Sequence, residues 1–214
     1  MSLIMGDDRA RTPARRPALV AVVVVLLIVG AGLAFLLGRA NTVPATAPEP
    51  GVLRWTEVGA SVVPSGQQVG PHEIDHGAAR GFSHDAVGAA VAALNISARL
   101  TPAAGDAVLQ QTARTQCFGD PDAAIAAAQR QSTAASTQSV RPTAYWFRVV
   151  DGTAAGSLVV VDVAAETPQA TASGGYVHFE RTLRWTDGDW QMQVPVSRPA
   201  ITTSVAAYQY LGRP

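Results

Sequence analysis

Twenty-one consecutive residues, Ala18 to Gly38 (ALVAVVVVLLIVGAGLAFLLG), carry no charge and no strong hydrogen-bonding side chain. At about 1.5 Å per residue, a helix of that length crosses the roughly 30 Å hydrocarbon core of a bilayer. The run is longer than the 7–15 residues or so of a signal-peptide core, so it predicts an uncleaved anchor. Processing after Ala45-Thr46-Ala47 is the alternative. Arg9, Arg11, Arg15 and Arg16 precede the run and Arg39 alone follows it. The positive-inside rule then places residues 1–17 in the cytoplasm and the remainder outside, as a single-pass protein of the cell membrane.

Beyond the anchor, residues 40–214 hold 11 Arg against 14 Asp plus Glu, a net charge of −3, which does not suit sequence-independent binding to nucleic-acid phosphates. Lysine is absent from the whole chain. Phosphate-loop lysines, Schiff bases and Ser-Lys dyads are therefore excluded. Cys117 is the one cysteine; with no partner for an intramolecular disulfide, it reads as a small buried hydrophobe.

The composition divides the chain into a cytoplasmic tail (1–17), the transmembrane helix (18–38), a Pro-, Ala- and Thr-rich flexible stalk (39–52), an extracytoplasmic α+β domain (53–198) and a C-terminal tail (199–214). Within the domain, Leu53 to Val63 predicts one short strand, broken by Pro64, Ser65 and Gly66, and the segment to His76 reads as a loop. Ser83 suits an N-cap, with Phe82 stapling onto Val87, for a helix whose apolar face is Val87, Ala90, Val91, Leu94 and Ala98. Thr101-Pro102 and Asp120-Pro121 predict two further helix starts. From Ala144 the period changes to two. "AYWFRVV" and "SLVVVDVAAE" read as strands, and Tyr176 to Thr186 joins Trp190 to Val196 through a tight Asp187-Gly188 hairpin. Val177, Phe179, Leu183 and Trp185 share one face of that strand, on which Arg181 is the single charged exception. Short helices packed on a curved antiparallel sheet of three or four strands are expected.

This order, an anchor, a stalk, an Ala-rich helical lead-in and a meander ending "RTLRWTDGDWQMQVP", resembles the membrane-anchored nuclear transport factor 2-like domains of bacteria. It is most similar to the bitopic assembly components of conjugation and type IV secretion machines. "RGFSHDAVGAAVAA" (80–93) also resembles a segment found in membrane proteins of conjugative elements in high-GC Gram-positive bacteria. The resemblance implies a scaffold without catalytic residues or cofactors, working with other membrane proteins of a transfer complex. Gly30-Ala31-Gly32 and Ala34 would also allow lateral self-association in the membrane.

His72-Glu73-Ile74-Asp75-His76 has the letters of the H-E-x-x-H zinc-protease motif, which works only where a helix puts both imidazoles on one face. Gly77 and Gly81 follow, and no third ligand stands at metzincin spacing, since Ala79 and Phe82 occupy those positions. His72, His76 and His84 are therefore only weak metal candidates and Glu73 a remote general base, against the expectation of an exposed polar loop. His178 reads as a solvated cross-strand partner of Glu180 or Arg184. Asn95-Ile96-Ser97 matches a glycosylation sequon within a helix and carries no weight. Trp146, Phe179, Trp185 and Trp190 are the aromatic candidates for lining a hollow between sheet and helices, where a small apolar ligand could bind. An extracytoplasmic ligand-binding domain serving envelope transport is thus the alternative to the scaffold, and a zinc hydrolase the remote one.

Overall fold

The computed structural model of the chain describes residues 49–132 and 141–214. The expected anchor at 18–38, the tail before it and most of the stalk lie outside the described residues. Among the described residues, no helix is long and apolar enough to cross a membrane.

The fold is α+β, as the change of hydrophobic period predicts. Among the described residues the strands are β1 (Arg54–Val58), β2 (Ser61–Ser65), β3 (Glu73–Asp75), β4 (Ala78–Arg80), β5 (Cys117–Gly119), β6 (Ala144–Gly152), β7 (Leu158–Glu166), β8 (Tyr176–Thr186), β9 (Asp189–Val194), β10 (Ala200–Thr202) and β11 (Gln209–Gly212). The helices are α1 (Ala86–Arg99), α2 (Asp106–Gln116), α3 (Pro121–Ser132) and the short α4 (Pro168–Ala172). Seven strands form one sheet in the order β11-β6-β7-β8-β9-β5, with β10 also paired to β8. It is mixed rather than purely antiparallel, because β5 runs parallel to β9. Residues 199–214, expected as a tail, instead supply two of its strands.

β6 to β9 form because alternation over many residues gives each strand one face for the core. Val159, Val161, Val163 and Leu183 are fully buried on the inner face, together with Phe147, Trp190 and Met192. α1 packs on that face. Its own residues from Val87 to Ile96 are all buried, so it is a central helix and not an amphipathic cover. Ala and Gly at so many of its positions let sheet and hairpins approach from several sides.

The start of α1 corrects the expected cap. Asp85, not Ser83, is the N-cap, and its carboxylate accepts a hydrogen bond from the Gly88 amide at 2.8 Å. Ser83 lies further back, where its carbonyl accepts from Trp190 Nε1 at 2.9 Å. Asp120 does cap α3, accepting from the Ala123 amide. Thr101-Pro102 opens only a 3₁₀ turn (Pro102–Ala104) ahead of α2.

The segment 53–80 is two hairpins where one strand and a loop were expected. Pro64 lies inside β2, opposite Trp55. A proline is tolerated there because β2 has only β1 as a strand partner. Both hairpins are tied to α1 by a buried polar pair. Asn95 Nδ2 donates to the Pro64 carbonyl at 2.8 Å, Arg99 Nε donates to the Gly77 carbonyl at 2.8 Å, and Arg99 Nη1 donates to Asn95 Oδ1 at 2.9 Å. Asn95 is thus an internal fastening, which removes the sequon at Asn95 as a modification site.

Candidate functional site

The zinc-motif letters fall on the second hairpin. Glu73, Ile74 and Asp75 are β3, and His76 and Gly77 form the turn with φ of 48° and 89°, a primed hairpin turn. Side chains alternate along a strand, so His72 and Glu73 point to opposite faces, and Cα atoms four residues apart are about 13 Å apart instead of about 6 Å on a helix. His76 Nδ1 donates to Asp75 Oδ1 at 2.6 Å. His84 sits at the foot of α1, stacked on Trp185 with centroids 4.1 Å apart, and its Nε2 donates to the Gly156 carbonyl. Among the described residues, no three His, Cys, Asp or Glu side chains converge as a metal site.

His178 is not the partner of Glu180 or Arg184. It meets Asp162, the fully buried acid on the outer face of β7, at 3.0 Å from Nδ1 to Oδ1. The same carboxylate accepts two bonds from Arg148, at 3.2 and 2.9 Å, and one from the Tyr208 hydroxyl at 2.5 Å. Burial pushes the Asp162 carboxyl up, but the bonds from Tyr208, His178 and Arg148 outweigh that and hold it below its ordinary value. Burial of the Tyr208 hydroxyl itself, then its hydrogen bond to the Asp162 carboxylate and that group's charge, push it up to about 12. Three of these donors meet Oδ2 and one meets Oδ1. The cluster fastens the chain between β10 and β11 as it crosses the outer face, and the carboxylate, fully buried within it, is out of a substrate's reach.

On the inner face, a cavity of about 510 Å³ opens between β2, α1 and the β7–β8 part of the sheet. That volume falls within the usual range for small-molecule sites, roughly 300–1,000 Å³. Val62, Val63, Leu94, Val177 and Phe179 make its wall apolar. Of the four aromatics expected to line a hollow, only Phe179 does so. Trp190 is buried in the core, Trp185 is taken up by His84, and Trp146 belongs to the outer face, edge-on to Tyr176 and Tyr210. A depression of about 550 Å³ beside Arg54, Gln67 and His72 lies at the open edge of the first hairpin and has no comparable apolar wall.

Arg181 also lines the 510 Å³ cavity, although only 7 % of it is exposed. Its guanidinium lies 4.5 Å over the Phe179 ring. Nε donates to Ser97 Oγ at 3.1 Å, and Nη1 donates to the Glu180 and Ser197 carbonyls at 2.8 and 3.3 Å. Those carbonyls lie where β9 has ended and β10 has not begun, so Arg181 bridges the gap in the sheet. Nη2 has no hydrogen bond, and no carboxylate pairs with this arginine, among the described residues. Burial alone pulls the guanidinium down to about 10. Cys117 is buried as expected, and burial pushes its thiol up to about 12, so it stays protonated and unreactive at neutral pH.

Fold and site together define an α+β domain with an apolar inner cavity that holds one desolvated cation. The family model described as "Domain of unknown function (DUF8175)" matches residues 36–211, and the chain belongs to that family. Searches of the curated proteins and of the solved structures each found no match.

Proposed function

We propose that the chain is a non-enzymatic, membrane-anchored protein whose extracytoplasmic domain binds a small, largely apolar molecule. The inner cavity carries this reading: its wall is apolar, it is large enough for such a molecule, and few titratable groups reach it. Helices lying on one face of a curved sheet also support kinship with nuclear transport factor 2-like domains. Full-length protein, purified, extracted with organic solvent and examined by mass spectrometry, is expected to yield an amphiphilic small molecule near one equivalent. An empty extract together with no binding of any apolar probe would sink the reading.

An assembly role in a conjugative transfer apparatus is the second reading, favoured by the outer face. Tyr210 is 46 % exposed there, edge-on to the Trp146 ring, which in turn meets the Tyr176 ring. Copurification of other membrane components from native cells that is lost on Tyr210→Ser would support it.

A further inference from the structure

We infer that Arg181 is the head-group anchor of the cavity, and that the ligand is a single-chain amphiphile ending in a carboxylate. The inference rests on the ligand-binding reading above and gives it a chemical class. An arginine this buried normally has a carboxylate within reach, because an unneutralised charge in an apolar site is costly. Here the three groups that take its hydrogens are all neutral: one serine hydroxyl and two backbone carbonyls. They fix the guanidinium between Ser97 and Phe179, both of which line the cavity, and leave Nη2 without a partner. The fork is thus held in place with a donor to spare, as recognition of an oxyanion requires.

The apolar wall calls for a hydrocarbon body and the lone cation for an anionic end. Charge decides between the two common oxyanions. A carboxylate carries one negative charge, which one guanidinium neutralises. A phosphate monoester carries about −1.5 to −2 at pH 7 and would leave excess charge in an apolar space. Leu94, Val177 and Phe179 would take the chain, and Ser97, already bonded to Nε, keeps the head group of Arg181 from swinging away.

The test uses the full-length chain in lipid nanodiscs, with diazirine-bearing lauric acid and the matching diazirine alcohol as probes. Cross-links are mapped by mass spectrometry and normalised to labelling of the bilayer. The acid is expected to label peptides carrying Leu94, Ser97 or Phe179 roughly tenfold or more above the alcohol, the factor expected of a charge-assisted hydrogen bond. Unlabelled laurate should compete and dodecanol should not. Arg181→Gln should reduce acid labelling to the level of the alcohol and leave the alcohol unchanged. Equal labelling by acid and alcohol in the wild type overturns the anchor while leaving the cavity reading in place, and needs no variant to fold. Labelling by neither probe overturns both. Stronger competition by dodecyl phosphate than by laurate overturns the carboxylate.

Discussion

Asp162 shows how one residue can hold a distant part of the chain. The segment between β10 and β11 has few apolar residues to bury, and what fastens it is the Tyr208 hydroxyl on a carboxylate that Arg148 and His178 already orient. Tyr208→Phe removes one hydrogen bond to a charged group, a loss of roughly 1.5–3 kcal/mol in urea unfolding at neutral pH. Asp162→Asn should cost about 3 kcal/mol, at the low end for a broken buried pair because Arg148 is still partly in water. The pH dependence has a definite sign. Because the folded carboxyl titrates below its ordinary value, the unfolded chain takes up a proton first as pH falls. The stability from the cluster is therefore complete above about pH 4 and is lost as pH drops through the lower folded value. A series of urea melts from neutral to acid pH should show this decline in the wild type, and a flatter acid limb in Asp162→Asn. The acid itself stands out in "SLVVVDVAAE", but its partners do not: Arg148 and Tyr208 are 14 and 46 residues away, a separation no periodicity encodes.

At the scale of elements, what could be read from the residues depended on length. β6, β7 and β8 run for nine to eleven residues, long enough for alternation to declare both strand and buried face. β5, β10 and β11 have three or four residues and owe their existence to neighbours: β5 to β9, β10 to β8, β11 to β6. The hairpin under "HEIDH" is not announced by its sequence, because its turn residue is histidine instead of the Asn or Asp that usually marks a primed turn. "RGFSHDAVGAAVAA" and "RTLRWTDGDWQMQVP" each stood out separately, yet they form one unit. Asp189 accepts from the amides of Gly81 and Phe82, and Trp190 Nε1 donates to the Ser83 carbonyl. That junction sets a limit on α1. By helix propensity alone, Gly88→Ala should stabilise by about 1 kcal/mol. A Cβ at Gly88, however, would stand 2.1 Å from the Ser83 carbonyl oxygen, which Trp190 holds in place. Overpacking of this kind costs about 1–3 kcal/mol, so the substitution should destabilise, and a thermal melt showing a gain would refute the rigid junction.

For the molecule as a whole, the two faces of the sheet treat charge in opposite ways. Asp162 on the outer face has four donors from three charged or polar side chains, whereas Arg181 on the inner face has no counter-charge among the described residues, and its desolvation in an apolar cavity costs stability. Its visibility in the sequence was partial. It was the one charge on an apolar strand face, but Ser97 and the gap between β9 and β10 that surround it come from elsewhere in the chain. Arg181→Met keeps the length and removes the charge. If Arg181 serves mainly to bridge the sheet gap, the variant leaves buried carbonyls without donors and should lose about 1–3 kcal/mol for each. The Glu180 carbonyl, however, also accepts from Ser197 Oγ at 3.0 Å and so keeps a donor. Replacing a buried charge with an apolar side chain of similar volume is often neutral or stabilising. Arg181→Met should therefore fall within about 1 kcal/mol of the wild type in urea unfolding, or above it, while losing preference for an anionic ligand. Such a residue would trade stability for function, as binding sites commonly do. A loss near 3 kcal/mol would instead assign Arg181 to the architecture of the sheet.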